Sequence, residues 1–138
     1  MKPASMLLLA LAATTANAET PTMRQLMLDL IHPASNDIQV FINRGAPKDE
    51  ADWFRVRRSA LTLATSESVL TPSPNPDWTK DAKAMAEAGA AAYQAAQAKN
   101  FNALAALADS LDASCTNCHK QFRPNVFPHK AGPAGGSK

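Results

Sequence analysis

The chain has 138 residues, 46% hydrophobic and 19% charged, with a formal charge of +2 and two cysteines. That length fits one domain, and two cysteines exclude a disulfide-rich scaffold. So even a charge balance argues against a nucleic-acid binder, which carries a concentrated basic face.

The first predicted element is a leader. Lys2, the apolar run Met6–Ala13 and the small-x-small sequence Ala16-Asn17-Ala18 predict a secretory signal peptide over residues 1–18, cleaved before Glu19. The run is shorter than the roughly 20 residues of a membrane span, and no later segment approaches that length, so no membrane insertion is expected. Cleavage leaves 120 residues and removes Lys2 but no acid, so the charge falls to +1. A domain of that size buries roughly 65% of its unfolded surface, enough for a core without staples.

Proline placement divides the remainder. No proline lies between Pro47 and Pro72, or between Pro76 and Pro124. Helix interiors exclude proline at a cost of about 3 kcal/mol, so these gaps are where long helices fit. Apolar spacing then predicts four helices. The first covers about residues 21–43, with Met23, Leu26, Met27, Leu30, Ile31, Ala34, Ile38 and Phe41 at three- and four-residue steps and Pro33 expected to kink or split it. The second covers about 48–70, with Pro47 expected in its first turn, Trp53, Val56, Ala60, Leu63 and Glu67 on one stripe, and Phe54 and Leu61 beside it.

Alternating prolines in Thr71-Pro72-Ser73-Pro74-Asn75-Pro76 mark a loop. The third helix covers about 77–99, with the stripe Trp78, Ala82, Met85, Gly89, Tyr93 and Ala96. The fourth covers about 100–122, with Leu104, Leu107, Leu111, Cys115, Cys118 and Phe122 aligned. No segment alternates with period two. The expected fold is all-α, an antiparallel four-helix bundle over residues 19–128. A tail over 129–138, rich in Gly, Pro, Ser and Lys, is expected to be disordered.

Cys115-Thr116-Asn117-Cys118-His119 carries the chemistry. C-x-x-C-H is the attachment signature of c-type haem. Positions i, i+3 and i+4 share one face of a helix, so two thiols can form thioethers while the adjacent imidazole reaches the iron. One covalently bound haem c is therefore expected, with Cys115 and Cys118 as its attachment points and His119 as the proximal ligand. Three other readings remain open. A thioredoxin-like thiol pair normally opens a helix in a strand–helix fold. A structural zinc needs four ligands, and only His32 and His129 are at hand to join the motif. A disulfide between i and i+3 on one helix is cramped.

With this motif in the last of four helices, and with Phe122-Arg123 following it, the mature chain from about residue 22 to residue 124 resembles the class II cytochromes c. These are the cytochrome c-prime group and its low-spin relatives. The resemblance implies a four-helix bundle with haem near one end, often as a homodimer. It implies a distal wall from the first helix, where Arg24-Gln25 resembles a family pair whose arginine lies near a haem propionate. An ordinary solvated charge is the plainer reading of Arg24. Arg123, at the end of the family motif, would sit near the proximal histidine; there the helix dipole favours a cation in any case.

The sixth iron ligand decides the chemistry. His/Met ligation closes the iron and raises its potential, whereas His alone leaves it open to small gases. Low-spin relatives use a methionine of the first helix, and Met27 resembles that position. A strict alignment on Arg24-Gln25 puts Leu28 there instead, which cannot bind iron. Met23 lies one turn before Met27 and is a second thioether, although both methionines also serve as core filler. His32 is a further imidazole, more readily read as exposed or satisfied.

Trp53, Trp78 and Tyr93 are expected to pack. Arg55, Arg57 and Arg58 read as a solvated face, with docking of an acidic redox partner as the alternative. The expectation is a periplasmic carrier of single electrons between redox partner proteins. It makes and breaks no substrate bond and so is not an enzyme. A five-coordinate haem protein binding NO or CO is the rival.

Overall fold

The computed structural model describes residues 19–70 and 75–125. The signal peptide expected over 1–18, most of the proline loop, and the tail with His129 lie outside the described residues. Within them the chain is all-α, with no strand. No described helix is long and apolar enough to cross a membrane.

The first helical length is made of α1 (Met23–Leu26), a π-turn over Met27–Ile31, and α2 (His32–Arg44). Thr22 caps it in a reciprocal box with Gln25: the Thr22 N–H donates to Gln25 Oε1 at 2.8 Å, and the Gln25 N–H donates to Thr22 Oγ1 at 3.3 Å. Pro33 lies in the first turn of α2, and the expected interruption of the length takes the form of the π-turn just before it. Lacking an N–H, it can return no bond to residue 29 and its ring crowds that carbonyl. The wider turn just before it absorbs the misfit.

Next comes α3 (Glu50–Ala64), capped by Asp49, whose side chain accepts from the Asp52 N–H at 2.9 Å. Pro47 therefore lies outside the helix rather than in its first turn, a small correction to the predicted start. The expected single second helix also breaks before its end. Thr65 Oγ1 donates to the Leu61 carbonyl at 2.9 Å and Ser66 Oγ to the Leu63 carbonyl at 2.7 Å. Such hydroxyls compete with the backbone ladder, and α4 (Glu67–Leu70) restarts beyond them.

Asn75 caps α5 (Pro76–Gln97), with Pro76 at its first position. Lys99, at φ 50°, ends that helix with the Asn100 N–H bonded to the Ala95 carbonyl at 2.9 Å. Asn100 then caps α6 (Phe101–Ala105), and after a two-residue turn α7 (Ala108–Phe122) completes the fold.

Neighbouring lengths run antiparallel. α3 lies along α5, α2 along α3, and α7 along α5 and α2. Ser59 Oγ donates to Asp37 Oδ2 at 3.0 Å between α3 and α2, Gln39 Nε2 to the Ala108 carbonyl at 3.3 Å, and Gln121 Nε2 to Asp77 Oδ2 at 3.2 Å. An ion pair from Lys99 to Glu50 joins the end of α5 to the start of α3. Ile38, Val56, Leu63, Leu70, Leu104 and Leu111 are almost fully buried between these lengths. Each such aliphatic side chain contributes roughly 1.5–3 kcal/mol by burial.

Gly89 is what lets α3 and α5 meet: a Cβ there would come within 2.6 Å of Leu63 Cβ. The stripe of α3 is buried as expected, but Phe54 and Leu61 beside it are 57% and 46% exposed.

Candidate functional site

Where the first helical length, the start of α5 and the end of α7 meet, they enclose a cavity of about 700 Å³. That is within the roughly 300–1,000 Å³ of small-molecule and cofactor sites. From α7 come Cys115, Cys118, His119 and Phe122, with Arg123 just beyond. From α5 come Trp78 and Met85. The first length supplies Met23, Arg24, Met27, Leu28 and Ile31, then His32, Ser35, Asn36 and Gln39. Every residue assigned from the sequence to attachment, ligation or propionate contact (Cys115, Cys118, His119, Met27 and Arg24) thus opens onto one space.

Helical periodicity brings the motif there: Cys115, Cys118 and His119 share the face of α7 that turns inward. Both thiols are free, and Cys118 is buried. Burial pushes the Cys115 thiol up from its ordinary value, against hydrogen bonds with Ser35 and Ser114 that pull it down. Cys118 is pushed up to about 11, by burial first and then by the negative charge of Asp81. Reactive redox thiols have depressed values, so these two lack the character of a thiol-exchange pair. Among the described residues no three His, Cys, Asp or Glu side chains gather as a metal-holding group.

His119 is held below its usual range, by burial first, then by the nearby Arg123 and by His32. Its imidazole is therefore neutral at pH 7, the form that binds metal. Ser35 Oγ and Cys115 Sγ lie 3.9 Å apart across the gap between α2 and α7. Trp78 donates its indole N–H to the Leu70 carbonyl and packs edge-on against Phe122, with ring centroids 5.0 Å apart. It thus ties the end of α4 to the cavity wall.

A haem-like group fits this donor set. Two protonated thiols and a neutral imidazole stand on one wall, aromatic and thioether side chains supply apolar surface, and Arg24 and Arg123 lie at the rim. The Gln25 side chain, by contrast, is committed to the cap of α1.

From the sequence His32 is a further imidazole, more readily read as exposed or satisfied, and Ser35, Asn36 and Gln39 are not singled out; all four line the cavity. Their spacing of three and four residues was visible, but which face of α2 looks at α7 was not. Compared with known proteins, the chain matches no family model, no curated protein and no solved structure.

Proposed function

We propose that this chain is an exported c-type haem protein that carries single electrons between redox partner proteins, with a haem joined to Cys115 and Cys118. The observation that carries this reading is the convergence of Cys115, Cys118 and His119 on one apolar cavity, opposite Met27 and Arg24. The antiparallel helices suit the four-helix bundle of the class II cytochromes c, which the motif's position resembles.

A haem bound there supplies reversible one-electron chemistry at its iron. His119 would hold such a group through its imidazole, and Met27 would offer a thioether from the first helix. Arg24 offers a planar fork suited to a carboxylate at the rim. Met85, Ile31, Phe122 and Trp78 exclude water, and a dry surrounding tunes the potential of a metal site.

The test is an intact mass and a visible spectrum of the exported full chain. One covalent haem, sharp reduced bands and the weak long-wavelength ferric band of thioether-ligated iron are expected. Colourless protein with two free thiols would overturn the reading. Broad high-spin bands with ready CO binding would instead favour the gas-binding form, for which Leu28 also stands on the cavity wall.

A further inference from the structure

The distal wall depends on one extra residue. Successive residues of an α-helix advance by about 100°. In an unbroken helix, five steps would put His32 about 140° around the axis from Met27, on a different face. The chain does something else. Met27–Ile31 form a π-turn, and the His32 N–H bonds to the Met27 carbonyl five residues back. That bond gives His32 the place that a residue four along holds in an ordinary helix. Met27 and His32 therefore stack on one face, and both line the cavity, as does Ser35 beyond them.

The local sequence favours this widening, since Pro33 has already removed the bond that an α-register would make there.

We propose that His32 is a reserve ligand: an imidazole held beside Met27 that would hold the haem iron when the thioether is withdrawn. The proposal rests on the haem reading above and deepens it. Two donors on one face keep the iron closed whichever of them is bound, which serves an electron carrier and works against gas binding. Exchange of thioether for imidazole lowers the potential, because Met/His ligation is the arrangement that raises it.

The experiment uses full-length exported holoprotein carrying Met27→Leu, with Met27→Ala as a second replacement, and Met27→Leu/His32→Leu. Spin state is read by visible and electron paramagnetic resonance spectra, and access to iron by CO binding. Each single variant is expected to stay low-spin without the thioether band and to resist CO. The double variant is expected to become high-spin and bind CO readily. A single variant that turns high-spin overturns the proposal while leaving covalent haem, and so the parent reading, in place. A single variant that keeps the thioether band also overturns it, since Met23 would then be the reserve. Wild-type protein without covalent haem overturns both.

Discussion

The backbone N–H of His32 donates to the carbonyl of Met27, and the five-residue register it closes sets which side chains of the first helix face the cavity. Its local cause is the ring one position later. Replacing Pro33 by alanine restores an N–H and removes the ring, so the ladder can close with four-residue bonds throughout. The two parts of the helix then rotate against each other by about 100°, and Met27 and His32 no longer share a face. Pro33→Ala combined with Met27→Leu is expected to give high-spin iron that binds CO, unlike Met27→Leu alone. Backbone chemical shifts over residues 27–33 report the register directly. An unchanged π-turn signature in Pro33→Ala would mean that packing, and not the proline, widens the helix.

Gly89 sits where α5 crosses α3. Alanine would ordinarily improve a helix interior by about 1 kcal/mol. Here its Cβ would come within 2.6 Å of Leu63 Cβ and 2.7 Å of the Leu63 carbonyl carbon. Backbone cannot swing aside as a side-chain tip can, so the two helices must separate. Overpacking of this kind costs about 1–3 kcal/mol and outweighs the propensity gain. Gly89→Ala is expected to lower the denaturation midpoint in urea; a raised midpoint would show that the α3–α5 contact is slack.

These two sites differ in how far the sequence announced them. Proline gaps and three-four spacing marked the helical lengths, because both act through local backbone energetics. The C-x-x-C-H spacing marked the proximal wall for the same reason, since i, i+3 and i+4 share a face on any helix. The π-turn left only Pro33 as a sign, and proline ordinarily signals a kink. Phe54 and Leu61 lie beside the α3 stripe in the sequence; α3 meets α5 at Leu63 and α2 at Ser59. The remaining face has no cover, and both side chains are exposed. Pairing of helices, which local spacing does not encode, decided that outcome and also brought Trp78 and Met85 to the cavity.

The thiols give a pH prediction for the haem-free chain. Cys118 holds its proton up to about pH 11, whereas the unfolded chain releases it near 9.0. Between those values the folded state binds more protons than the unfolded one, so stability falls as pH rises. Below that window the contribution is fully present. Alkylation of Cys118 at pH 7–8 is expected to be slower than that of a free cysteine and to accelerate as pH climbs toward 11. Rapid alkylation at neutral pH would point to a depressed thiol and revive a thiol-exchange role.

Trp78 separates two contributions to the cavity wall. Its indole N–H bonds to the Leu70 carbonyl at the end of α4, and its ring meets Phe122 edge-on. Trp78→Phe removes the donor but keeps an aromatic face, so a loss of about 0.5–1.5 kcal/mol is expected from the hydrogen bond. Trp78→Ala also removes the packing surface and should cost more, toward the roughly 3–5 kcal/mol of aromatic-to-alanine changes, reduced because this ring is only partly buried. The alanine variant also leaves Phe122 without its partner and admits water beside the motif of α7. Urea midpoints give the two stabilities, and the reduced spectrum gives the state of the site. If Trp78→Phe and Trp78→Ala prove equally stable, the ring adds nothing to the wall and the bond to Leu70 is its whole role.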